Sequence, residues 1–167
     1  MSKTAVVLGV VIFSSALLLG SAQAADKLGY IDLSRTFSEY SKTKAYDKTL
    51  SGKEKVYTDE RDKKVEEIKS FQDKLNLLND KQREEKQGEL QSKAKALRDY
   101  DQQKQAELRK EQEEKMKEIM KDIEEAVKKY SEKEGYTVVF NDRVLVYQTK
   151  GMDITSQIID ILNKGGK

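Results

Sequence analysis

The sequence predicts a mainly α-helical protein with a small β body: a long antiparallel helical hairpin, a coiled-coil arm, projecting from a short-stranded oligomerisation body. Three observations lead there. Charged residues make up 37% of the 167-residue chain and proline is absent, so long stretches lack both the apolar content of a globular core and the residue that stops helices. Apolar residues in the middle recur every three or four positions, the helical period. At both ends the pattern changes to short β-branched and aromatic runs.

Composition also removes whole chemistries. The chain has no Cys, no His and no Trp. Disulfides, thiol nucleophiles, imidazole bases and the usual zinc sites are therefore excluded. No G-x-x-x-x-G-K-[ST] phosphate loop occurs. The carboxylates of Glu113–Glu114 and of Asp122, Glu124 and Glu125 lie outside any twelve-residue calcium loop. No catalytic, cofactor-binding or metal-ligating residue is assigned, and the chain does not read as an enzyme.

The chain opens with Met1–Ser2–Lys3 and the apolar run 4–20, followed by Ala22–Gln23–Ala24 before Ala25. A basic start, an apolar stretch and a small-x-small site form a secretory signal peptide, residues 1–24, with Ala22, Ala24 and Ala25 marking the cleavage. Its removal takes the net charge from +2 to +1. Export and balanced charge argue against a nucleic-acid partner. They also point to an exported, soluble product that works without nucleotide.

Residues 28–33 (LGYIDL) read as a strand, and Ser34 offers a hydroxyl to cap the helix that follows. From there to about Glu134 only Gly52 and Gly88 interrupt a helical pattern. Val65, Ile68, Phe71, Leu75 and Leu78 form one seam, and Leu90, Ala94 and Leu97 another. Met116, Met120, Ile123, Val127 and Tyr130 continue the second. Between Leu97 and Met116 Leu108 stands alone in the seam, so the arm should be loosest there. Acid–base pairs at i,i+4 (Glu60–Lys64, Glu89–Lys93, Glu111–Lys115, Glu113–Lys117, Glu124–Lys128 and Glu125–Lys129) are expected on exposed faces, each adding about 0.2–0.5 kcal/mol.

After Gly135, residues 136–140 (YTVVF) and 144–147 (VLVY) read as a β-hairpin around Asn141–Asp142–Arg143. Asp153 is placed to cap a last helix with the stripe Ile154, Ile158, Ile161 and Leu162. If the distant strands share a sheet, the helical segment must leave and return. This sets the arm at 46–133, with its tip near 78–83 and Asp80 capping the second leg. Residues 25–45 and 134–167 then form the body. That body is small and its strands are apolar on both faces, so a further subunit is expected to cover one side. Leu28, Tyr30, Ile31, Val138, Val139, Phe140, Val144, Val146, Ile154, Ile158 and Ile161 are its candidate packing residues. Leu75, Leu78, Leu90 and Leu97 either zip one leg of the arm to the other or contact a client.

Three segments, LGYIDLSRTFSEY at 28–40, the charged helical middle, and KEGYTVVFNDRVLVYQTKGMDITSQIIDILNK at 133–164, together resemble the Skp/OmpH-like periplasmic chaperones. The resemblance implies a homotrimer with a joint β body and three helical arms around a cavity. It implies an ATP-independent holdase that sequesters unfolded outer-membrane β-barrel proteins in the periplasm and prevents their aggregation. Members are often strongly basic. Here Lys81, Arg83, Lys86, Lys93, Lys95 and Arg98 are offset by Asp80, Glu84, Glu85 and Glu89, and no residue is carried over for lipopolysaccharide or membrane contact. The competing reading is a structural coiled-coil protein of the envelope, a spacer or tether. From the residues alone, a trimer stays open against other oligomers.

Overall fold

A computed structural model describes residues 26–165. The expected signal peptide, with Ala22, Ala24 and Ala25, lies outside the described residues. In chain order the elements are β1 (Leu28–Ile31), α1 (Leu33–Glu39), α2 (Ser41–Asn76), α3 (Asp80–Glu134), β2 (Val138–Asn141) and α4 (Thr155–Lys164), with short 3-10 turns at Asp142–Val144 and Lys150–Met152. The fold is mainly helical, with a two-stranded sheet and a hairpin arm of α2 and α3. At 1.5 Å per residue the legs are about 54 and 82 Å long, and the lower part of α3 belongs to the body.

The tip is a three-residue turn, Leu77–Asn79. Asn79, rather than Asp80, caps α3, its side chain accepting from the Gln82 amide at 3.0 Å. The start of the first helix shifts similarly. Asp32, not Ser34, is the cap, accepting from the Arg35 amide at 2.8 Å. A carboxylate there also satisfies the positive end of the helix.

β1 and β2 pair in parallel, with Leu28 opposite Val138 and Tyr30 opposite Phe140. A parallel pair needs a long crossover, and the entire arm is that crossover. Gly135 makes the return to the sheet possible: it ends α3 at φ 76°, the left-handed region in which glycine carries no Cβ penalty. Gly29 is required for a different reason. A Cβ there would sit 2.9 Å from the Tyr136 ring, which stacks on Tyr130.

The hairpin expected at 136–147 does not form. The Asn141 side chain accepts from the Arg143 amide, the chain turns through Asp142–Val144, and residues 144–147 leave the sheet. The free edge of β2 stays unpaired, while the free side of β1 carries a single bridge from Tyr30 to Asp153, continued by the Ile154 amide donating to the Tyr30 carbonyl at 3.0 Å.

The core sits where α1, α4 and the base of α3 meet the sheet. Ile31, Tyr40, Ile119, Ile123, Ala126, Ile154, Ile158 and Leu162 form it, with Val139 and Ile161 packed at its edge. Ile119 and Ala126 were not in the seam expected from the sequence. Each fully buried isoleucine contributes about 1.5–3 kcal/mol. The start of α4 is tied to the end of β1. Thr155 Oγ1 accepts from the Asp32 amide at 2.9 Å, and Asp153 accepts from the Thr155 amide at 2.8 Å. Asp153 thus binds from one residue before the cap position, which Ile154 occupies.

Candidate functional site

Two surfaces stand out, the inner face and tip of the arm and the uncovered face of the body. In the arm, the region with the weakest apolar seam is closed by tyrosines and charges. Tyr57 and Tyr100 lie against each other with ring centroids 5.9 Å apart. Tyr57 donates to Asp101 at 3.1 Å, Arg61 to Asp101 at 3.3 Å and Tyr100 to Glu60 at 2.5 Å. The Tyr100 phenol is pushed up to about 12, chiefly because its proton is held by Glu60. Lys53 pairs with Glu111 across the legs at 2.6 Å. Of the six i,i+4 pairs expected, Glu89–Lys93 comes within 4.0 Å. Glu111 is drawn across the arm to Lys53, and Lys115 turns to Glu118 instead.

Gly52 leaves space on α2 in the same region. A cleft of about 470 Å³ opens there, lined by Val56, Tyr57, Tyr100 and Leu108 with Lys53 and Lys104 at its margin. The four arm leucines are distributed unevenly. Leu75 is buried, while Leu78, Leu90 and Leu97 are half-buried. Arg83 closes the tip by donating to the Leu75 and Leu78 carbonyls. The exposed apolar residue at the tip is Leu77, 87% accessible, which the seam pattern did not single out. Its signal in the sequence was its place off the helical period, between the seam leucines Leu75 and Leu78.

At the root of the arm Lys42 bridges Glu118 at 2.6 Å and Asp122 at 2.7 Å. Tyr40 adds a hydrogen bond to Asp122 at 3.1 Å. Hydrogen bonding to Asp122 and then Glu118 raises the Lys42 ammonium well above its ordinary range. The Lys115 and Lys42 ammonium groups hold Glu118 down to about 2.

In the body, Tyr30, Ile31, Ile154 and Ile158 are buried and Val139 and Ile161 half-buried. Leu28, Val138 and Phe140, on one face of the parallel pair, remain exposed. Val144, Val146 and Tyr147, expected in a buried strand, stand fully or largely in the open at 68%, 106% and 83%. Beside them one oxygen of Asp142 is buried without a hydrogen-bond partner. Among the described residues no group of acidic side chains is placed to hold a metal, and no helix is long and apolar enough to cross a membrane.

A family model described as outer membrane protein (OmpH-like) matches residues 27–162. The chain belongs to the OmpH-like family. Among solved structures, this OmpH-like chain is similar to a Caulobacter crescentus CB15 protein described as an OmpH-like outer membrane chaperone, with a TM-score of 0.78 at 16% identity. The match covers 85% of this chain and 86% of the other, so body and arm are both shared in fold. No curated protein matches.

Proposed function

We propose that this OmpH-like chain is an exported, ATP-independent holdase of the periplasm that assembles through its body as a homotrimer. Its arms enclose a cavity in which unfolded outer-membrane β-barrel proteins are kept apart. The observation that carries the reading is the division of labour in one chain: a long charged hairpin standing off a body whose Val144, Val146 and Tyr147 are uncovered. Exposed apolar clusters of this kind mark association surfaces. Membership of the OmpH-like family and a fold shared with a chaperone of that family support the same role.

The chemistry needs no fuel and no catalytic group. Unfolded barrel strands alternate apolar and polar residues and aggregate through open edges. Leu77 at each tip, the Tyr57–Tyr100 cleft and the stems of lysines offer many weak apolar contacts. Such contacts hold a client without competing with its folding in the membrane.

Light scattering on the mature chain, alone and after dilution of a urea-unfolded barrel protein into it, tests the reading. A mass of three chains that shifts to a discrete soluble complex without nucleotide is expected. A trimer that leaves the client to precipitate turns the assignment to an envelope spacer. A monomer overturns the shared body and the cavity together.

A further inference from the structure

The two legs of the arm join the body differently. α3 runs unbroken from tip to core, Asp80–Glu134, whereas the outgoing leg is cut once, at Tyr40. Tyr40 leaves the helical region at ψ 126° and caps α2 with no side-chain hydrogen bond. A helix begun in this way has first-turn amides without intrahelical acceptors. The first of them is served by a residue 122 positions further along the chain: the Ser41 amide donates to Asn163 Oδ1 at 2.8 Å. Asn163 Nδ2 in turn donates to the Glu39 carbonyl, the last of α1, at 3.2 Å. One side chain of α4 thus bridges both sides of the cut. Its own position is set by Ile158 and Leu162, which are buried against the core.

We propose that Tyr40 is a joint in the outgoing leg and that Asn163 is its latch, so that docking of α4 fixes the root of α2 to the body. Asn163 acts as a helix cap supplied in trans. Its side chain is neutral, so salt leaves it in place. The second tie at the root, Lys42 to Glu118 and Asp122, is ionic, half exposed and screened by salt. With the latch open, the root of α2 is held to α3 by this ionic tie and the Tyr40–Asp122 hydrogen bond, while the hairpin stays zipped higher up, and the angle between α1 and α2 at Tyr40 is less constrained.

Asn163→Ala and Asn163→Asp separate the latch from simple packing. The aspartate keeps the acceptor for Ser41 and loses the donor to Glu39; the alanine loses both. Hydrogen exchange on the full-length protein should show the Ser41 amide about fivefold faster in Asn163→Ala, the change in opening expected for one lost cap. It should stay protected in Asn163→Asp, with the amides of Ile158 and Ile159 unchanged in both. The chain has no cysteine, so Lys48→Cys with Gln157→Cys gives one spin-label pair per chain across the joint, read in an excess of unlabelled protein so that pairs between subunits do not contribute. Its distance distribution should broaden most when Asn163→Ala is added and less when Asn163→Asp is added. An unchanged Ser41 amide in Asn163→Ala, or equal acceleration in both variants, overturns the latch. The experiment contains no client, so its outcome is separate from that of the holdase reading.

Discussion

Glu118 accepts from Lys42 and Lys115 at once, and its carboxyl is held down to about 2 from an ordinary 4.5. A carboxylate depressed on folding contributes its stabilisation fully above the unfolded value and loses it as pH falls through the folded one. Thermal unfolding followed by circular dichroism should therefore weaken between pH 4.5 and 2, and Glu118→Gln should flatten that slope while lowering the midpoint at neutral pH. Gly135 makes a second residue-scale case. Its φ of 76° imposes about 1–2 kcal/mol on any residue with a Cβ, so Gly135→Ala should lower the unfolding free energy from chemical denaturation by that amount. Gly135 could be read in advance as a break. Glu118 could not, because the lysine that grips it hardest from another element, Lys42, is 76 positions away.

At the scale of elements, α4 carries more of the body than its ten residues suggest. Ile154 and Ile158 are almost wholly buried, and Ile158→Ala should cost about 2–5 kcal/mol in chemical denaturation. Ile161, at the edge of the core, should cost less on the same measurement. Leu77 is the opposite case. Leu77→Ser should move stability by less than about 0.5 kcal/mol, yet reduce the amount of unfolded barrel protein kept soluble. The helices of the arm were legible because a 3.6 period over long proline-free segments has no other stable outcome. The run 144–147 was not, since β-branched composition states a preference for strand and says nothing of an available neighbour. The turn at Asp142–Val144 carries the chain away from the free edge of β2, where the hairpin strand would have paired.

For the whole molecule, the decisive surface is the one the body leaves open. Val146→Asp combined with Tyr147→Glu should lower the native mass seen by light scattering while far-ultraviolet dichroism keeps its helical signal, because neither side chain packs within the chain. If the mass is unchanged, these residues lie outside the association surface. The shaft answers to a different variable. Its cross-leg ties, Lys53–Glu111 and Arg61–Asp101, are partly exposed ion pairs and are screened by salt. Exchange protection along the middle of α2 should fall with rising ionic strength before the core of α4 responds.

Read alone, the residues determined the mainly helical fold with its hairpin arm and the absence of thiol and imidazole chemistry. Those features follow from local period, from caps and from which side chains are present. Tertiary structure alone decided the parallel pairing of β1 and β2, the cut at Tyr40, the trans cap from Asn163 and the exposure of Val144, Val146 and Tyr147. Tyr40 breaks the helix with neither glycine nor proline, because its ring is buried in the core while its hydroxyl reaches Asp122. Such choices are settled by contacts between residues some 80 to 120 positions apart, and no window of local sequence contains both partners.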